Sequence, residues 1–140
     1  MRGKIGLLFG ILGLAGCFHQ IRQYTYPPEF TYIENKELAN SMDGLASLVA
    51  KLNRLLTINE QISSETKQKL VVEILKQMEH VGSELGSTGG TNHPQIDHNI
   101  NAFRNNLENA RLAAQQVPPN YYLAGTITGS CTNCHLVRDH

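Results

Sequence analysis

Residues 35–56 read NKELANSMDGLASLVAKLNRLL, and the spacing of their apolar side chains indicates the fold class. Side chains that recur at intervals of four and three residues lie on one face of an α-helix, where they can pack against other helices. The stretch therefore predicts an amphipathic first helix. The apolar positions at this spacing are Leu38, Met42, Leu45, Val49, Leu52 and Leu56.

Two further segments show the same helical period. In the first of them, Ser63 or Ser64 is suited to cap the helix N-terminus, and Gly86 is expected to end the helix. Pro94 suits the first turn of the third helix, and the Pro-Pro pair at residues 118–119 is expected to end it. The apolar stripes are Leu70, Ile74, Met78, Val81 and Leu85 in the second helix, and Ile96, Ile100, Phe103, Leu107, Ala110 and Ala114 in the third.

A fourth segment begins near Asn120 and contains Gly125 and Gly129, each of which costs about 1 kcal/mol relative to Ala in an isolated helix. Something other than intrinsic propensity must therefore stabilise it. Four amphipathic segments with short connections, and no stretch of two-residue alternation, predict an all-α fold, an antiparallel four-helix bundle over residues 35–140. The helically spaced positions of the fourth segment are Ala124, Ile127, Cys131 and Cys134.

The composition restricts the class of protein. The chain has 140 residues, 12 Lys+Arg against 12 Asp+Glu, and 41% hydrophobic residues. This length fits one domain, and the hydrophobic content is too high for a disordered chain. Balanced charge argues against a nucleic-acid-binding protein, which would carry a basic excess. Neither a Ser-His-Asp arrangement in a recognisable turn nor a phosphate loop is present, so nothing in the sequence suggests a hydrolase.

The first sixteen residues are predicted to be a secretion signal. Arg2 and Lys4 give a short positive start, and an apolar run follows at residues 6–16. This run is shorter than the about 20 residues that a transmembrane helix needs. A short positive start followed by a short apolar run is typical of a bacterial signal peptide.

Residues 14–17 (LAGC) resemble the lipobox of bacterial lipoproteins. The resemblance implies that Cys17 becomes the lipid-modified N-terminus and that residues 17–34 form a lipidated N-terminus and tether. Such a protein would be anchored on the periplasmic side of the cell envelope, and Phe18 after the cysteine favours the outer membrane. An uncleaved anchor helix, or cleavage without lipidation, is the alternative. The tether could pack onto the bundle through Tyr24, Tyr26, Phe30 and Tyr32, or it could be a loose linker.

Residues 131–135 read CTNCH, which is the C-x-x-C-H attachment signature of c-type haem. In such proteins the two thiols add to the two vinyl groups of the porphyrin and form thioether bonds. Positions three apart lie on the same side of a helix, so Cys131 and Cys134 can reach one ring. His135 can then bind the iron. The sequence predicts one covalent haem c, with His135 as the proximal iron ligand.

Three other interpretations of the cysteine pair compete with haem. A zinc site would need four ligands, and no second pair is present. A thioredoxin-like redox pair would lie in a βαβ setting, which the pattern does not show. A disulfide between Cys131 and Cys134 is the third alternative, and export of the chain is compatible with it.

A first helix with a Met on its apolar face, three further helices and C-x-x-C-H near the C-terminus resemble the class II c-type cytochromes, the cytochrome c′ and cytochrome c556 group. The resemblance covers about residues 36–140. It implies that Met42 is the distal iron ligand, as in the low-spin members; simple core packing is the other interpretation. Residues 91–97 and 118–125 depart from the class II pattern, and only five residues follow His135.

The motif and the resemblance imply one-electron transfer between redox protein partners, by a protein held at the membrane through its lipid anchor. The alternative is a five-coordinate protein like cytochrome c′ that binds nitric oxide. Homodimers are common among the resembled proteins, through their first two helices. Arg138 could bind a haem propionate or be an exposed arginine near the chain end. We expect His93, which precedes Pro94, to make a cap or a surface contact rather than to bind iron.

Overall fold

A computed structural model describes residues 29–57 and 62–135, and these residues form an all-helical fold. The helices are α1 (Asn35–Thr57), α2 (Ser64–Leu85), α3 (Pro94–Ala114), α4 (Tyr122–Ser130) and a final turn, α5 (Thr132–His135). Each of the four longer helices packs on the next, and α4 also packs on α1. This order is compatible with the predicted helical bundle, and the all-α prediction is confirmed for the described residues.

The described residues contain no strand, only an isolated parallel bridge between Thr31 and Thr91. In the same two ranges, no helix is both long enough and apolar enough to span a lipid bilayer.

The apolar stripe predicted for α3 is confirmed at every position. Its six residues are all buried. The predicted stripe of α1 is only part of a wider apolar face, because α1 packs on both α2 and α4. The buried residues of α1 are Leu45, Leu48, Leu52 and Leu55, with Leu38, Met42, Val49 and Leu56 partly buried beside them.

The stripe predicted for α2 is wrong at its first position. Leu70 is 44% exposed, and the row that begins with Val71 points into the core instead. Helix α2 has two apolar rows one residue apart, which begin at Leu70 and at Val71. The row that begins at Val71 is buried, because it packs against α1 and α3. Ile74 and Val81 lie at its edge and are partly buried. The buried row is Val71, Leu75, Met78, Gly82 and Leu85.

The helix ends follow local hydrogen bonding. Of the two candidate caps for α2, Ser63 is the cap, since its hydroxyl accepts a hydrogen bond from the Thr66 amide. As predicted, Gly86 follows the last residue of α2, and Pro94 begins α3.

Helix α3 ends at Ala114, earlier than the Pro-Pro pair predicted. The side-chain amide of Gln68 donates to the carbonyl oxygens of Ala114 (2.9 Å) and Gln116 (3.1 Å), and so satisfies acceptors at the helix end. Helix α4 then begins at Tyr122 rather than near Asn120, whose side-chain oxygen accepts the Tyr122 amide at 3.0 Å.

The described end of the predicted tether, residues 29–34, docks on the loop between α2 and α3. Ile33 is 3% exposed and belongs to the core. Asn92 accepts the Ile33 amide at 2.7 Å and donates to the Ile33 carbonyl at 3.0 Å, and His93 Nε2 lies 3.0 Å from the same carbonyl oxygen. Asn92 and His93 therefore hold this arm in place.

Candidate functional site

Helix α4 leads into the cysteine motif and is held by a neighbour on each side. The Asn53 side chain of α1 donates to the Thr128 hydroxyl at 3.1 Å, and the Asn106 side chain of α3 donates to the Ser130 hydroxyl, also at 3.1 Å. Ala124 and Ile127 of α4 are buried. These contacts supply the support that two glycines in a nine-residue helix require.

The motif itself occupies one helical turn that starts where α4 ends. Cys131 lies between α4 and α5, and its carbonyl oxygen accepts the amides of Cys134 and His135, each at 3.3 Å. The Thr132 hydroxyl donates to the Gly129 carbonyl at 2.6 Å and ties the turn to α4. The helical spacing predicted for the motif is thus present.

Both cysteines and His135 line an apolar cavity of about 160 Å³, and Met42 of α1 lines the same cavity. The structure therefore brings Met42 together with the three residues of the motif, which the sequence analysis selected on a different ground. Cys131 and Cys134 are half-buried, whereas His135 is exposed. The other lining residues are Leu45, Ala46, Leu85, Ile96, Ile100, Phe103 and Ser130.

The two thiols are free cysteines in the structure. Burial raises the pKa of the Cys134 thiol, and the charge of the Cys131 thiolate raises it further. Among residues 29–57 and 62–135, no group of three or more His, Cys, Asp or Glu side chains is arranged to hold a metal ion.

The lining of the cavity fits a porphyrin in its chemistry. Two thiols, an imidazole and a thioether face an otherwise apolar surface. The volume is below the roughly 300–1,000 Å³ of typical ligand pockets, so a macrocycle would fill the cavity and extend past its mouth. The exposed residues Ala46 and His135 lie among the lining residues and leave that edge accessible.

Of the other candidate residues, Cys17 and Arg138 fall outside the described residues. His93 contacts the arm at Ile33 and is not among the residues that line the cavity, in agreement with the expected local contact. Tyr122 is 76% exposed and does not line the cavity either.

Sequence analysis did not identify two residues that position the motif. Asn53 and Asn106 are exposed polar residues on helices, and such positions carry no sequence signal that separates them from ordinary surface residues. Phe103 and Ile100 were predicted as core residues, but their second role as cavity walls depends on where α5 lies.

In comparisons with protein-family models, with curated proteins and with solved structures, nothing matches this chain. The argument for its function therefore depends on its residues and their geometry alone.

Proposed function

We propose that this chain is a mono-haem c-type cytochrome built on a four-helix bundle, and that it transfers single electrons between protein partners at the bacterial cell envelope. One observation carries the proposal: the C-x-x-C-H motif and Met42 line the same apolar cavity. The lipobox-like tetrad supports a lipid anchor at Cys17 and a location on the periplasmic side.

In this proposal the chain holds the haem covalently. Each thiol of Cys131 and Cys134 would add its sulfur to one vinyl carbon and its hydrogen to the other, a step that consumes no oxidant. His135 would supply a neutral imidazole nitrogen to the iron. The bound haem would supply one-electron redox chemistry. Apolar walls such as Ile100 and Phe103 exclude water, and exclusion of water is one of the factors that set a reduction potential.

Met42 supports the assignment as an electron carrier. Its side chain lines the cavity from α1, a different helix from the one that carries His135. A thioether ligand at the sixth position would favour the ferrous state and keep that position filled. The apolar neighbours Leu45 and Ala46 favour the alternative, a five-coordinate site that binds nitric oxide, if Met42 only packs there.

Haem attachment is tested by purifying the full chain from a bacterial host that attaches c-type haem. We expect one haem per chain in a pyridine haemochrome assay and a mature mass that includes lipid at Cys17. The double variant Cys131→Ser/Cys134→Ser should be colourless, whereas Cys17→Ser should lose the lipid and keep the haem. A colourless wild-type protein would contradict the proposal.

The role of Met42 is tested with two conservative substitutions that keep side-chain volume. Met42→Leu should convert a low-spin ferrous spectrum to a high-spin one and lower the reduction potential. Met78→Leu is the matched control, because Met78 is fully buried in α2 and does not line the cavity. A wild-type protein that is high-spin, binds nitric oxide at micromolar concentration and is unchanged by Met42→Leu would favour the gas-binding alternative.

A further inference from the structure

Helix α4 has little stability of its own. It has nine residues, with no acidic side chain in its first turn and no basic side chain in its last turn. Tyr121, the residue before it, makes no side-chain cap. An isolated helix shorter than about 12–15 residues is marginal in water. Helix α4 is therefore stable only while it packs on α1 and α3.

Of the four longer helices, α4 also has the smallest share of the core. It buries two residues, Ala124 and Ile127, whereas α1 buries four, α2 five and α3 six. The side-chain hydrogen bonds that Asn53 and Asn106 donate to it are exposed to water. Because a helix is held in proportion to the apolar surface it buries, α4 is the helix that separates from the bundle at the lowest cost.

The two glycines of α4 weaken it without a packing reason. A Cβ built on Gly125 or on Gly129 would meet no atom within 4 Å, so the closed structure has room for a side chain at both positions. Neither glycine lines the cavity beside the cysteines. Their effect on the chain without haem is therefore to lower the stability of α4.

The hydrogen bonds on either side of α4 locate a hinge. Before the helix, the Asn120 amide donates to the Ala113 carbonyl at 3.0 Å and so keeps the connection attached to α3. After the helix, the Thr132 hydroxyl donates to the Gly129 carbonyl at 2.6 Å and joins α5 to α4. Movement of α4 would thus carry α5 with it and would bend the chain at residues 120–122.

This α4–α5 segment forms one wall of the cavity. The cavity has a volume of about 160 Å³, below the roughly 300–1,000 Å³ of typical ligand pockets. A ring larger than the cavity can enter it only when a wall moves, and the α4–α5 wall is the one with the least support. The cavity residues on this wall are Ser130, Cys131, Cys134 and His135.

We propose that α4 and α5 open from the bundle as one unit, about a hinge at residues 120–122, while α1, α2 and α3 stay folded. In the open state, both thiols and the apolar walls on α1 and α3 are accessible to a macrocycle. That use of the open state rests on the proposed function. The opening itself requires no haem, so it can be measured in the apoprotein.

The test is hydrogen exchange of the full chain produced without haem, under conditions in which the opening equilibrium sets the exchange rate. Mass spectrometry follows peptides from α4 and from α2. Gly125→Ala should slow the exchange of α4 about fivefold, because it stabilises the helix against opening. The matched control is Gly44→Ala: Gly44 lies inside α1, and a Cβ there also meets no atom within 4 Å. Because α1 stays folded in the open state, Gly44→Ala should slow the exchange of α2 about fivefold and leave that of α4 unchanged.

Two outcomes would overturn the proposal. Equal slowing of α4 and α2 by Gly44→Ala would show that α4 opens only when the whole bundle unfolds. Unchanged exchange of α4 in Gly125→Ala would show that its amides exchange without loss of the helix. If Gly125→Ala does not fold, Gly129→Ala replaces it, since that position has the same free space. A chain that opens as expected but takes up no haem in a host that attaches it would contradict the proposed function and would support the opening.

Discussion

At the scale of single residues, the environment of Cys134 disfavours its thiolate. Burial raises the pKa of its thiol above the ordinary value of 9.0. The thiol is therefore protonated at neutral pH and is a poor nucleophile in the folded chain.

This shift predicts a pH dependence. In apoprotein from a host that does not attach haem, Cys134 of the Cys131→Ser variant should react with iodoacetamide more slowly in the folded chain than in urea at pH 8.5–9.0. Because the unfolded thiol ionises first, the free energy of unfolding should fall as the pH rises from the ordinary pKa towards the raised one. Alkylation followed by mass spectrometry measures the rates. Equal rates in buffer and in urea would contradict the prediction.

At the scale of elements, the helices depend on specific end contacts. Helix α2 begins with a hydrogen bond from the Thr66 amide to the Ser63 hydroxyl at 3.2 Å. Tyr121, the residue before helix α4, makes no side-chain cap, and the bonds from Asn53 and Asn106 hold the helix from its neighbours. Two helices of the same chain are thus stabilised in different ways, one locally and one by its neighbours.

The cap of α2 gives a prediction with an internal control. Ser63→Ala should lower the free energy of unfolding by about 1 kcal/mol, since an orphan amide of the first turn loses its acceptor. Ser64→Ala changes the same residue type one position later, at the first residue of the helix, and should have little effect or a slightly stabilising one. Urea unfolding followed by circular dichroism measures both. A larger loss for Ser64→Ala would show that the cap is assigned to the wrong serine.

At the scale of the whole molecule, the docked arm joins the start of the described chain to the loop between α2 and α3. Ser87 donates a hydrogen bond to the Glu29 carbonyl oxygen, and the Thr31 amide donates to the Gly90 carbonyl at 3.0 Å. Gly89 lies so close to the Glu29 backbone that a side chain there would clash. The arm therefore fits this loop closely and covers core residues through Ile33.

Asn92 is predicted to hold the arm. Asn92→Ala removes two hydrogen bonds to the backbone of Ile33 and should destabilise the chain by about 1–3 kcal/mol. Hydrogen exchange of the amides at residues 31–33 should accelerate. Asn99→Ala is the matched control, because the Asn99 side chain donates only to the Gln95 carbonyl of its own helix. Unchanged exchange in Asn92→Ala would mean that the arm is held by other contacts.

The sequence by itself determined the helical class, the buried stripe of α3 and the spacing of the C-x-x-C-H motif. These features depend on the helical period, which is a local property of the chain. Helix α3 has a single apolar row, so the helical period alone identifies its buried face. In α2, the rows that begin with Leu70 and Val71 are nearly equivalent locally, and the contacts with α1 and α3 decide between them.

Only the tertiary structure showed that Met42 lines a cavity together with the cysteines, and how the motif is held. Met42 and Met78 both lie on apolar stripes, but Met42 alone lines the cavity beside the cysteines. Likewise, the support of α4 by Asn53 and Asn106 depends on helices that are distant in sequence. Contacts of this kind form only when the helices pack together. The residue spacing within one helix does not show which residues of another helix will lie beside it.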